Sequence, residues 1–196
     1  MKALTLIIIS NLLILLNHQS RAQSLFPIDS ASNKIQYSDV VITDSIFAPQ
    51  LYKNAEKWAA LHLKKQSNQQ TEFDLKQGFI KCTNSFLVYT KGMMSKEIHG
   101  LIDYDVYIEI KDQKYRYTFN NFVFNYYKQN RFYEYVPTGK KKPLEEPKFQ
   151  GWQPVWNKHK KLTNNIILDQ IFKLKNIMKE KELPIIEKKA VKKTDW

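Results

Sequence analysis

The chain has 196 residues, 43% of them hydrophobic and 26% charged, with a formal net charge of +12 and one cysteine. That length is enough for one domain with a real core, and a single cysteine excludes an internal disulfide, so packing alone must hold the fold. The basic excess is uneven: residues 23–127 hold 12 Lys or Arg against 11 Asp or Glu, whereas residues 128–196 hold 17 against 8.

The N-terminus reads MKALTLIIISNLLILLNHQSRAQS. Lys2 precedes an apolar run from Leu4 to Leu16, interrupted only by Thr5, Ser10 and Asn11. The run is short for a bilayer span, and small residues Ser20 and Ala22 follow in a polar stretch. This is the pattern of a signal peptide, residues 1–22, cut after Ala22. The chain is therefore expected to be exported, periplasmic or secreted, with no retained transmembrane segment. No cysteine follows the cut, which argues against lipid attachment there.

Residues 23–33 are a Ser- and Pro-containing lead-in, and KIQYSDVVIT has the Tyr and Val/Ile content of a strand. A helix follows, with Pro49 in its first turn and Leu51, Ala55, Trp58 and His62 at helical spacing, His62 at the margin of the apolar stripe. QSNQQ marks a turn, TEFDL a short strand, Gly78 a turn and FIKCTNSFLVYT a longer strand. Cys82 falls in phase with Ile80, Phe86 and Val88, a buried strand position. KGMMSKEIHG reads as a loop between Gly92 and Gly100.

LIDYDVYIEIK alternates strictly, with Ile102, Tyr104, Val106, Ile108 and Ile110 on one face and Asp103, Asp105, Tyr107 and Glu109 on the other. A two-residue turn at Asp112 and Gln113 pairs Ile110 with Tyr115, Ile108 with Tyr117 and Val106 with Phe119, and sets Glu109 opposite Arg116. Phe122, Phe124 and Tyr126 are out of phase with Tyr115, Tyr117 and Phe119, which a bulge near Asn120 and Asn121 would explain.

Residues 128–161, with Pro137, Pro143, Pro147 and Pro154, read as an irregular basic segment. A helix is expected over 162–183, where Ile167, Ile171, Leu174 and Met178 recur at helical spacing, and residues 184–196 form a basic tail.

The Tyr52 and Trp58 pair of LYKNAEKW, together with Lys111, Asp112, Tyr115 and Arg116 of the IEIKDQKYRYTF hairpin, resembles a family of exported bacterial proteins known as a domain of unknown function with a TATA-binding-protein-like (TBP-like) fold. The resemblance spans roughly residues 34–127. It implies an α+β core of order β-α-β-β-β-β-α, an antiparallel sheet with its helices on one face. Gln113 stands where such a turn would carry glycine. The family has no established activity, so no catalytic residues carry over.

An enzyme would need convergent nucleophiles, acids or bases, and His62, His99 and His159 fall at no metal-ligand spacing, so no catalytic, cofactor or metal residues are assigned. A periplasmic enzyme with an unrecognised site is the first alternative, and nucleic-acid binding ranks below it. The 10 aromatics among residues 115–135 suit base stacking in number, but a disulfide-free core needs them, and export separates the chain from nucleic acid. The favoured reading is a non-catalytic binding or envelope-associated module. Its candidate surface residues are Lys140, Lys141, Lys142, Trp152, Trp156, Lys158, Lys160 and Lys161, directed at an anionic envelope component or a protein partner. A Trp tucked under a loop is the equal alternative for Trp152 and Trp156.

Overall fold

The computed structural model describes residues 25–63, 71–74, 77–92, 95–148 and 152–181. The expected signal peptide, the QSNQQ turn and the basic tail lie outside the described residues. The elements run β1 (Tyr37–Ile42), α1 (Ala48–His62), β2 (Thr71–Asp74), β3 (Phe79–Lys91), β4 (Lys96–Lys111), β5 (Lys114–Gln129), β6 (Tyr135–Pro143) and α2 (Gln153–Ile177). They form an α+β fold with a six-stranded antiparallel sheet of order β1-β5-β4-β3-β2, in which β6 also pairs with β5.

Strict alternation fixes the register of the long central hairpin, because a slip of one residue would turn every apolar side chain outward. Ile110 faces Tyr115, Ile108 faces Tyr117, Val106 faces Phe119 and Glu109 faces Arg116. The expected bulge is present: Asp103 faces Val123 while Asp105 faces Asn120, so Asn121 and Phe122 together oppose Tyr104. Asn121 takes the left-handed conformation, φ 55°, and the extra residue returns Phe122 and Phe124 to the buried face. The same point divides the outer edge of β5, where β1 pairs with Lys114 to Phe119 and β6 with Val123 to Gln129.

Both helices cover the face that carries Ile80, Ile102, Val106, Ile108, Phe119 and Phe124, each fully buried. Trp58 of α1 sets its ring edge-on to Phe119 at 6.1 Å, and Trp156 of α2 does the same to Phe124 at 5.7 Å. Burial of each such aromatic contributes about 2–3 kcal/mol, which is how a chain without disulfides stays folded. Tyr52 and Trp58 are both core residues. Cys82 is 2% exposed, and burial pushes its thiol up to about 12, leaving it an inert core residue.

The hairpin turn also fastens α1. Phe47 at the N-cap has no side-chain oxygen to offer, and the Ala48 N–H donates instead to Asp112 Oδ1 at 2.9 Å. A carboxylate there satisfies an open helix donor and suits the positive end of the helix dipole. On either side, the Thr43 N–H donates to the Gln113 carbonyl and the Gln113 N–H to the Ile46 carbonyl. At the far edge, Tyr37 donates to Asn164 at 2.6 Å and Lys175 pairs with Asp39 at 2.9 Å, tying α2 to β1.

Three expectations are corrected. The order contains one more strand than β-α-β-β-β-β-α. The segment 128–161 is not irregular: it holds the end of β5, all of β6 and the first turns of α2, which starts at Gln153 rather than 162. The supposed loop at KGMMSKEIHG is strand from Lys96 onward. Among the described residues β6 pairs with β5 alone, and such an edge tolerates the prolines and lysines that would break a central strand. Pro154 sits in the first turn of α2, where its missing N–H costs nothing.

Candidate functional site

The eight candidate residues do not form one patch. Trp156, expected at the surface, is 1% exposed, a correction with a clear cause: its ring completes the core against Phe124 and its Nε1 donates to the Glu146 carbonyl at 2.9 Å. The Lys142 and Lys160 ammoniums lie 5.8 and 5.5 Å from the Trp156 ring centre, on opposite sequence flanks. Lys142 pairs with Glu146 at 2.6 Å and Lys160 donates to the Glu146 carbonyl at 2.8 Å. Burial leads the effects that lower the Lys160 pKa. These three residues fix the connection between β6 and α2.

Lys141 points to the opposite face of the sheet, beside Asp103 and Asp105, in an open depression of about 750 Å³. Asp105 accepts from Thr83 at 2.7 Å and Asn121 at 2.9 Å, and Asp103 accepts from Asn125 at 2.7 Å. Burial raises the Asp103 pKa. The two carboxylates are thus held by separate partners. With Glu72 and Glu109 on the same face, interleaved with Lys81, Lys141 and Arg116, the uncovered side of the sheet is mixed in charge and not a continuous basic track for a phosphate backbone.

Lys140, Trp152, Lys158 and Lys161 are exposed. Of these, Lys158 gains company that sequence spacing could not reveal. Between the end of the β3–β4 hairpin and α2 lies a cleft of about 620 Å³, lined by Lys91, Lys96, Lys158 and His159 with the apolar flanks of Tyr89 and Leu162. Its described lining holds three lysines, and the Glu97 carboxylate lies against Gly92 within it.

Behind the cleft, His99 Nδ1 and His159 Nε2 are 2.7 Å apart in a direct hydrogen bond, against the rings of Phe124 and Tyr126. A second bulge brings His99 there. Val88 pairs with Gly100 but Tyr89 pairs with Ile98, so His99 is the extra residue of β4. Burial, then the neighbouring His99 and Lys158, lowers the His159 pKa to about 4, and burial lowers that of His99. Both rings are neutral near pH 7, one donating and one accepting. His62 lies apart, tilted against Trp58 at 6.4 Å, with its pKa lowered by burial and by Lys173. Among the described residues, no group of three His, Cys, Asp or Glu side chains could hold a metal ion.

Residues 37–125 match the family model of a domain of unknown function (DUF4468) with TBP-like fold. Two solved structures are similar to the chain. One is a DUF4468 family protein from Bacteroides ovatus, 16% identical with a TM-score of 0.60, the match covering 81% of this chain and 93% of that one. The other is a TBP-like protein from Parabacteroides distasonis, also 16% identical, with a TM-score of 0.56 over 78% of this chain and 99% of that one. At that identity the likeness shows the fold. No curated protein matches the sequence.

Proposed function

We propose that this chain, whose residues 37–125 carry a TBP-like domain of unknown function, is an exported, non-catalytic binding module that docks through a basic surface onto an anionic component of the cell envelope. The observation that carries this reading is the cleft at the end of the β3–β4 hairpin. Lys91, Lys96 and Lys158 come from β3, β4 and α2 and meet there, outnumbering the Glu97 carboxylate that lies against the lining residue Gly92. Like charges held together by separate elements repel one another, and an anionic partner relieves that repulsion.

The N-terminal pattern of Lys2, a short apolar run and Ala22 supports export. Nucleic acid fits poorly, because the uncovered sheet face interrupts its lysines and Arg116 with Asp103, Asp105 and Glu109. Catalysis is less well supported: the cleft offers a neutral imidazole pair engaged in its own hydrogen bond, whereas activating the Thr90 or Ser95 hydroxyl of the lining would need one of those rings as its base.

The test is binding of the chain to dextran sulfate and to lipopolysaccharide across a salt series, beside the triple variant K91E/K96E/K158E. Affinity should fall steeply as salt rises, since the Debye length shrinks from about 10 Å at 0.1 M to about 3 Å at 1 M. The triple variant should bind at least about tenfold more weakly. Binding that ignores salt, or survives the charge reversal unchanged, overturns the proposal.

A further inference from the structure

The β3–β4 and β5–β6 connections lie at the same end of the sheet, since β4 and β5 are antiparallel and joined at the other end by Asp112 and Gln113. The β5–β6 connection, residues 130–134, leaves two adjacent aromatics open at its crest: Phe132 is 66% exposed and Tyr133 81%. A single exposed apolar side chain is ordinary; two exposed neighbours on one strand connection are a candidate contact.

The tip is held in place. Asn130 Oδ1 accepts from the N–H groups of Phe132 at 2.8 Å and Glu134 at 3.0 Å, and Asn130 Nδ2 donates to the Glu134 carboxylate at 3.0 Å. The Tyr133 N–H donates to the Asn130 carbonyl at 3.1 Å, and Tyr133 itself is held left-handed at φ 64°. An aromatic residue adopts that conformation only where its surroundings impose it. The Arg131 guanidinium lies 4.8 Å from the Phe132 ring centre. Lys128 is exposed on the β5 arm, and Lys91 and Lys96 are exposed beside the other hairpin connection at this end.

We infer that this end of the sheet is a membrane-docking pole, in which Phe132 and Tyr133 enter the headgroup boundary of an anionic leaflet while Arg131, Lys128, Lys91 and Lys96 meet lipid phosphates. The inference rests on the basic-surface reading above and names its partner as a lipid surface. An anionic polymer would satisfy the lysines and leave both aromatics in water. A bilayer takes all of them, since a tyrosine ring sits at the headgroup level with its hydroxyl wet, and arginine can stack on a ring while it pairs with a phosphate. Both rings are exposed, as insertion requires, and basic residues add attraction to anionic lipid.

The experiment compares the chain with its F132S/Y133S variant for co-sedimentation with vesicles of phosphatidylcholine alone and of phosphatidylcholine mixed with phosphatidylglycerol, and for binding to dextran sulfate. A second variant, Y133C, carries an environment-sensitive fluorophore; Cys82 is buried and leaves position 133 as the labelled site. The expected result is binding to the mixed vesicles, at least about tenfold weaker in F132S/Y133S, with dextran sulfate binding unchanged and a blue-shifted label on the vesicles. Equal vesicle binding by both proteins with an unshifted label overturns insertion and leaves the basic-surface reading standing, as does capture of a protein partner by the tip without vesicle binding. Failure of the chain to bind vesicles, dextran sulfate and lipopolysaccharide at low salt overturns both. Both residues are exposed, so an unchanged melting curve confirms that F132S/Y133S is folded.

Discussion

Acidification tests the imidazole pair that holds α2 to the sheet. His159 is held at about 4 in the fold by burial and by His99 and Lys158, against an ordinary value near 6.5. A base whose pKa is lowered by folding takes up its proton on unfolding. Its contribution is therefore complete above about pH 6.5, declines as pH falls, and levels off near pH 4, where the folded state accepts the proton too. Linkage for this one group gives a loss of about 2 kcal/mol by pH 5 and about 3 kcal/mol by pH 4. His99 is lowered as well and acts in the same direction. Asp103, whose pKa is raised, acts in the opposite one. The difference between the native chain and His159→Gln removes such shared contributions. Urea unfolding followed by circular dichroism between about pH 7.5 and about pH 4.5 should show the variant less stable at the upper end, by about 1–2 kcal/mol for the altered buried hydrogen bond, yet with a shallower dependence on pH. Parallel pH profiles for the two proteins would refute the reasoning, because they would mean that His159 is as easily protonated in the fold as in the unfolded chain.

Gln113→Gly should raise stability by about 0.5–1 kcal/mol in the same assay: Gln113 is left-handed at φ 60°, and the hydrogen bonds it makes to Thr43 and Ile46 use its backbone only. Glu109 and Arg116 form a two-pronged ion pair on the exposed face, including Arg116 Nη2 to Glu109 Oε1 at 2.7 Å, so the swap E109R/R116E should recover most of whatever either single reversal loses; a double variant worse than both singles would contradict the register. Cys82 should resist a thiol reagent at about pH 8 and react at once in denaturant, and rapid labelling of the folded chain would show that β3 opens.

The central hairpin was legible because its information is local. The alternation from Ile102 to Ile110 and from Tyr115 to Phe119 leaves a single register that buries both apolar sets, and the phase change at Phe122 is by itself the signature of a bulge. Cys82 could be placed by the same rule. β6 was not legible: Pro137, Gly139, the lysines at 140–142 and Pro143 all argue against a strand when one assumes two neighbours, and what admits them is the one-sided pairing. The start of α2 had a readable signal in Pro154, equivalent to the one Pro49 gives for α1, but the surrounding prolines and glycine masked it.

The pairing of His99 with His159 could not be read at all. It joins residues 60 apart in sequence and depends on a one-residue bulge that turns His99 toward α2, and nothing in KEIHGLI marks the extra residue. The cleft has the same origin, since Lys91, Lys96 and Lys158 meet only once β4 is known to begin at Lys96 and α2 at Gln153. Periodicity constrains the middle of an element, where every second or every third to fourth residue must be buried, and says nothing at its ends. The lysine cleft and the Phe132–Tyr133 tip, for which binding is proposed, lie at or near such ends. Side chains there are released from the core's demands and free to be chosen for a partner. The same freedom that hides them from pattern reading is why, of the ten aromatics among residues 115–135, the exposed pair Phe132 and Tyr133 bears the proposal, while the seven along β5 answer first to the sheet.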